Sequence, residues 1–132
     1  MSTVEGVREL NELGSALSQV QDQLDRLRRS AARHPNAFVS PGLYERYEAK
    51  LAALRWLVGE GLESPVTKAA SRGVPTASEV VREATAAEAI RFPGHRRGEP
   101  PAGIPSYEWL GWVQRTLHWA LGWKEEPHPA SG

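Results

Sequence analysis

The chain has 132 residues, the length of a single domain, and can bury a hydrophobic core if most of it takes part in folding. Its 16 basic and 16 acidic residues cancel, so no overall positive field is available to hold a polyanion, and general nucleic-acid binding is disfavoured. The sequence contains no cysteine, which excludes disulfides, thiolate zinc sites and cysteine nucleophiles.

A long amphipathic helix is predicted from about Thr3 to Arg33. Thr3 is its candidate N-cap, acidic residues follow near the N-terminal end, and arginines cluster near the C-terminal end, as the helix dipole favours. The apolar residues repeat with the alternating three- and four-residue spacing of a heptad seam: Leu10, Leu13, Leu17, Val20, Leu24, Leu27 and Ala31. This spacing predicts that one face of the helix packs against another helix.

A second helix is predicted after a break at residues 34–36. Ser40 followed by Pro41 is typical of a helix start, with an N-cap and then proline at the first helical position. Gly59 and Gly61 provide the C-terminal stop. The apolar seam of this helix consists of Tyr44, Tyr47, Leu51, Leu54 and Val58.

The short connection between these helices predicts an antiparallel, coiled-coil-like hairpin over residues 1–61. In that arrangement the arginines at the end of the first helix lie beside Glu45 and Glu48. The first helix is the longer one, so Leu10 and Leu13 are expected to project past the end of the second. Burying a leucine is favourable by about 1.5–3 kcal/mol, so a later segment or a second copy of the chain is expected to cover them. The alternative is a homodimer, in which the apolar seam of the first helix packs against the same seam in a second copy of the chain.

Two less apolar stretches follow the hairpin. Residues 62–91 are expected to form a connector with at most one turn of helix, followed by an Ala-rich helix to about Arg91. The helix opens at Thr76, because Thr76 and Glu79 have the spacing of a capping box. Half of residues 92–105 are proline or glycine, which predicts a linker.

The last predicted helix covers residues 106–123 and begins with Ser106 as N-cap. Its most prominent feature is a stripe with alternating three- and four-residue spacing: Trp109, Trp112, Thr116, Trp119 and Trp123. More than half of its circumference is apolar, which is too much for a helix that stands alone in water. Residues 124–132 are expected to form a flexible tail.

The tryptophan stripe allows three interpretations. The helix packs across the hairpin and covers the projecting leucines, or it inserts its aromatic side chains into the groove of a partner. A membrane-interface anchor is the weakest of the three, because such anchors carry several basic residues and this helix offers Arg115 and the nearby Lys124. The candidate partner-binding residues are Leu10, Leu13, Trp109, Trp112, Trp119 and Trp123.

Residues 67–80 resemble a helix-turn-helix in outline. Its second helix, however, would expose Ser78, Glu79 and Glu83, which do not read DNA bases as arginine, asparagine or glutamine do. DNA binding through this segment is therefore disfavoured.

Catalytic and metal-binding patterns are weaker still. The four histidines (His34, His95, His118 and His128) have no partners at useful spacing. Glu125 and His128 have a ligand-like spacing, but Pro127 breaks the helix that would aim both at one metal. The sequence has no phosphate-binding glycine loop and no strand pattern. We therefore predict no enzymatic activity, no catalytic residue, no metal site and no cofactor.

The sequence also indicates where such a chain works. Residues 1–5 lack the basic and apolar regions of a secretory signal, and no apolar run approaches the roughly 20 residues of a membrane-spanning helix, so a cytoplasmic location is expected. Thirteen arginines stand against three lysines beside abundant Ala, Gly and Pro. GC-rich codons favour these residues, which indicates a high-GC bacterium or a phage.

Taken together, the sequence predicts an all-α fold and a non-enzymatic protein–protein interaction, scaffold or adaptor function. The partner is expected to be another protein or a second copy of the chain, whereas nucleic acid and membrane are disfavoured. The alternative functions are a small DNA-binding transcriptional regulator and a peripheral membrane-associated protein.

Overall fold

The computed structural model describes residues 7–36, 41–91 and 100–123. These ranges contain four helices and no strand: α1 (Leu10–Arg33), α2 (Pro41–Leu57), α3 (Ala77–Arg91) and α4 (Tyr107–Ala120). The predicted all-α fold class is therefore confirmed. The predicted N-cap Thr3, the first part of the predicted linker (residues 92–99) and the predicted tail (residues 124–132) lie outside the described residues.

The helix starts of the C-terminal half follow the predicted capping patterns. The backbone N–H of Thr76 donates to Glu79 Oε1 over 2.8 Å, and the N–H of Glu79 donates to Thr76 Oγ1 over 3.2 Å, which is the reciprocal pair of a capping box. Ser106 Oγ accepts from the backbone N–H of Trp109 at the start of α4. Both caps satisfy N–H groups that have no partner inside the helix.

The start of α1 differs from the prediction, whereas the end of α2 agrees with it. Residues 7–9 are not helical, so the predicted extension of the first helix through them is wrong. The physical reason is a tertiary bond: the backbone N–H of Arg8 donates to the carbonyl oxygen of Ala120. At the C-terminal end of α2, the helix stops two residues before Gly59, as predicted. Gly59 has φ of +87°, and a Cβ there would lie 3.0 Å from the backbone nitrogen of Val74, so glycine is required by both the conformation and the space.

α1 and α2 run antiparallel. Arg28 and Glu48 form an ion pair at 3.2 Å, and Arg55 donates to Gln21 over 2.8 Å. The contact residue on α2 advances from Glu48 to Arg55 while its partner on α1 goes back from Arg28 to Gln21. This order shows that the two helices run in opposite directions, as in a hairpin. The side chains of the ion pair are exposed, so the pair favours this register by less than about 1 kcal/mol. Coiled-coil packing in detail stays a prediction.

The helices pack in the order α1, α2, α4, α3. Because α2 lies between α1 and α4, its burial is not confined to the predicted seam: Leu51 and Leu54 are buried, and so are residues on its other faces, namely Ala49, Lys50, Ala53, Trp56 and Leu57. The predicted α1 seam is buried at Leu13, Val20 and Leu24, whereas Leu10 is 52% exposed.

Residues 62–75 form a connector that folds back on itself. Glu63 and Ala70 make an antiparallel β-bridge, and the backbone N–H of Ser64 donates to the Ala69 carbonyl over 2.8 Å. No helix occurs in this stretch, so the first helix that a helix-turn-helix requires is missing from residues 62–76.

The connector is held against α3 by Glu83. This carboxylate is buried, and it accepts from the backbone N–H groups of Val66 and Thr67 over 2.8 and 3.1 Å and from the Thr67 hydroxyl. The expectation that Glu83 lies on an exposed helix face is wrong, because the connector covers it.

Candidate interaction sites

The tryptophan-rich helix packs against its own chain. Trp109 and Trp119 are buried, and Trp112 is partly buried. α4 contacts α2 on one side and α3 on the other, so its apolar circumference is used inside the fold. This packing agrees with the first interpretation of the stripe in that α4 is a core helix, but Leu10, one of the leucines that the helix was expected to cover, stays 52% exposed.

The six candidate partner-binding residues therefore separate into two groups. Leu13, Trp109 and Trp119 belong to the core, and Trp112 is partly buried against it. Leu10 and Trp123 are 52% and 56% exposed. Leu13 is buried within the single chain, whereas Leu10 is not. Direct contact with a partner stays a prediction. Among the six residues it is best supported for Leu10 and Trp123, because their side chains are exposed.

A junction between the start of α1 and the end of α4 lies close in the chain to both exposed residues. Besides its backbone bond to Ala120, Arg8 donates from Nε to the Trp119 carbonyl over 2.7 Å, and its guanidinium lies 4.5 Å from the centroid of the Trp119 ring. Leu10 lies two residues after Arg8, and Trp123 lies three residues after Ala120, the residue whose carbonyl accepts the hydrogen bond from the Arg8 backbone N–H. We call Leu10 and Trp123 the terminal patch.

A second surface is the groove beside Trp112. It is open to solvent, has a volume of about 360 Å³ and is lined by Arg91, Tyr107, Glu108, Gly111, Trp112 and Arg115; we call it the Trp112 groove. The missing side chain of Gly111 shapes it, because a Cβ at this position would lie 3.4 Å from the Arg91 Cζ. The Arg91 guanidinium can therefore lie along α4, where its Nη1 donates to Gln114 Oε1.

Positive charge converges on the Trp112 ring. The guanidinium carbons of Arg46 and Arg115 lie 4.5 and 4.8 Å from its centroid, and Lys50 Nζ lies 5.3 Å from it. Cation–π attraction at these distances is favourable, more so where the cation is desolvated, as at Lys50, which is 3% exposed. Among nearby acids, Glu45 accepts from the Ser106 hydroxyl over 2.7 Å, and Glu108 lines the groove.

The sequence pattern did not identify this cation cluster. Arg46 and Lys50 are four residues apart and so share a face of α2, but their spacing does not say which helix that face meets. Arg91 ends α3 and looks like a solvated last-turn charge. Their proximity to Trp112 depends on the packing of α2 and α3 on either side of α4.

The described residues give no sign of a metal centre. In residues 7–36, 41–91 and 100–123, no three His, Asp or Glu side chains are grouped so that they could hold an ion. His95, Glu125 and His128 lie outside these ranges. The predictions of no enzymatic activity and no cofactor stay predictions.

The two surfaces have no counterpart from which a function can be transferred. Over the same described ranges, no helix combines the length and apolar character that crossing a membrane requires. Comparisons of the chain with protein-family models, with curated proteins and with solved structures find no match.

Proposed function

We propose that the protein is a non-enzymatic interaction module, a scaffold or adaptor whose helical core presents the terminal patch to another protein. The observation that carries this proposal is the exposure of Trp123 and Leu10, 56% and 52%, at the junction where α1 begins and α4 ends. Trp109 and Trp119 are buried in the same helical segment and Trp112 is partly buried, so Trp123 is the most exposed of the four tryptophans there.

The chemistry of Trp123 suits an interface anchor. Tryptophan is enriched among binding hot spots because it buries a large area with few rotatable bonds and keeps an N–H donor. Its ring rests against the His118 ring, with 5.2 Å between centroids. The Arg8 junction holds the adjoining helix ends together, so less conformational entropy is lost on binding than for a free tail.

A different protein is a better occupant than a second copy of the chain. A half-exposed tryptophan offers roughly 100 Å² of apolar area, and a half-exposed leucine offers less. Stable dimers bury about 800 Å² on each partner and are more apolar than transient complexes. The terminal patch therefore supplies an anchor for a complementary pocket but does not supply a whole self-complementary interface.

Trp123→Ala is expected to weaken partner binding by at least about 30-fold, which is the loss of a 2 kcal/mol hot spot. Stability should change by less than about 0.5 kcal/mol, because the side chain is exposed. The measurement is quantitative affinity capture from the source cells with the full-length chain, followed by titration of the captured protein in purified form. Leu10→Ala should weaken the same complex, whereas Leu62→Ala, which truncates a leucine that is 90% exposed elsewhere, should leave it unchanged.

Two results would refute the assignment. If no captured protein depends on Trp123 and Leu10 but not on Leu62, the terminal patch is not a partner site. If light scattering shows a dimer that Trp123→Ala dissociates, the patch serves self-association, and the adaptor proposal fails.

A further inference from the structure

We propose that the cavity between the connector and α3 is a binding site for a carboxylate group, which Arg72 and Arg82 hold. We call it the connector cavity. It has a volume of about 60 Å³, and it is lined by Ser64 and residues 69–75 of the connector, by Trp56 of α2, and by Glu79, Arg82 and Glu83 of α3. None of these residues belongs to the terminal patch, so the site does not depend on the function proposed for that patch.

Two guanidinium groups at this cavity are not engaged by the protein. Arg72 and Arg82 both line the cavity, and both are exposed. Within residues 7–36, 41–91 and 100–123, the structure shows no hydrogen bond and no ion pair for either side chain. Guanidinium groups bind carboxylates through paired N–H donors in a planar fork. The donors of both arginines are therefore available to a ligand.

The acids at the same cavity are already hydrogen-bonded. Both carboxylate oxygens of Glu83 accept from donors of the connector, and Glu79 Oε1 accepts from the backbone N–H of Thr76. Neither glutamate forms an ion pair with Arg72 or Arg82. In total charge the two glutamates still balance the two arginines. A ligand group with a single negative charge therefore fits better than a phosphate dianion, which the glutamates would repel more strongly.

The backbone of the connector supplies a further donor. Glu63 and Ala70 face each other in the antiparallel bridge, and the hydrogen bonds of the bridge are made by the residues on either side of them. Such a pair directs its own N–H and C=O groups away from the opposite segment. The cavity is lined by Ala70 and not by Glu63, and in the described part of the chain the Ala70 N–H has no acceptor. This N–H is therefore a third donor on the cavity side of the connector.

The volume limits the ligand to a small group. One water molecule needs about 10–15 Å³ of such space, so a cavity of about 60 Å³ has room for about four to six water-sized groups. That is the size of acetate or of an aspartate side chain, and it is far below the roughly 300–1,000 Å³ of sites for drug-sized ligands. Trp56, Val74 and Pro75 contribute apolar residues to the wall beside the ligand's carbon atoms. The carboxylate has two possible sources, a free small acid or an aspartate in a segment of a partner protein.

The test is an NMR titration of the full-length protein with acetate and with the capped peptide Gly-Gly-Asp-Gly-Gly. The matched neutral probes are acetamide and the same peptide with asparagine in place of aspartate. The backbone amide signals of Ala70 and its neighbours in the connector should shift with the two carboxylates and not with the two amides. Arg72→Gln and Arg82→Gln should each weaken carboxylate binding about tenfold, as the loss of one charge-assisted contact predicts. Arg29→Gln, the same charge change at an exposed position of α1, should leave the affinity unchanged.

Misfolding is a poor explanation for such a loss, because neither arginine has a protein partner among the described residues. Both variants should therefore unfold at the same urea concentration as the unmodified protein. A peptide that binds more tightly than acetate assigns the site to a partner segment, and equal affinities assign it to a free acid; both results support the carboxylate site.

Four results overturn the proposal: no shift with either carboxylate, equal shifts with the matched amides, equal losses in Arg72→Gln and Arg29→Gln, or inorganic phosphate that binds more tightly than acetate. Trp123→Ala should leave acetate binding unchanged, so failure of the terminal patch is distinguishable from failure of the connector cavity.

Discussion

Leu117→Ala is expected to lower the free energy of unfolding by about 3–5 kcal/mol. Leu117 is fully buried in α4, and α4 packs between α2 and α3. Truncation removes apolar area from the core and leaves a cavity that helices fixed on two sides cannot close. A domain is typically stable by 5–15 kcal/mol, so this single change should remove a large fraction of the total.

The matched control is Leu62→Ala, since Leu62 is 90% exposed. It should change stability by no more than about 0.5 kcal/mol. Urea unfolding followed by far-UV circular dichroism gives both values. Similar values for the two variants would show that α4 is not a core helix, and the assignment of its tryptophans to the interior would be lost with it.

Features set by neighbouring residues were predictable from the sequence. The Thr76–Glu79 capping box, the Ser106 N-cap and the stop at Gly59 each depend on a few residues that are close in the chain. The antiparallel direction of α1 and α2 also followed, because a short connection and complementary charges favour the same pairing. These features require no knowledge of the rest of the fold.

Features set by the third and fourth helices were not predictable. The non-helical conformation of residues 7–9 depends on a bond from Arg8 to Ala120, which lie at opposite ends of the chain. Ile104 was assigned to a linker without a packing pattern, yet it is buried. A single apolar residue among prolines and glycines carries no periodicity, so its burial follows only from the position of neighbouring elements.

The candidate sites show the same limit. Leu10 was expected to project past the end of the second helix, as the length difference between the two helices predicts, and to be covered there by a later segment or a second copy of the chain. Within the single chain it stays 52% exposed. Which tryptophans of the stripe face inward depends on how α4 is rotated between α2 and α3. The alternating spacing placed Trp109, Trp112, Trp119 and Trp123 on one stripe but did not separate the buried ones from Trp123.

Glu83→Ala is expected to lower the free energy of unfolding by about 2–4 kcal/mol. The change removes an acceptor of three hydrogen bonds, and it leaves the N–H groups of Val66 and Thr67 without their partner beneath the connector; each buried group left unsatisfied costs about 1–3 kcal/mol. Native-state hydrogen exchange should show the same loss locally, as faster exchange of the Val66 and Thr67 amides. Glu83→Gln should be milder, because the amide oxygen can still accept from both N–H groups.

Glu88→Ala provides the reference for this experiment, because Glu88 is an exposed glutamate on the same helix. It should change stability by less than about 0.5 kcal/mol and should leave the exchange of Val66 and Thr67 unaltered. If Glu83→Ala and Glu88→Ala destabilise equally, or if the two amides exchange freely in the unmodified protein, then Glu83 does not hold the connector. The connector would then be attached to the bundle by its other contacts, among them the burial of Pro65, Val66 and Pro75 and the position of Lys68 Nζ 5.7 Å from the centroid of the Trp109 ring.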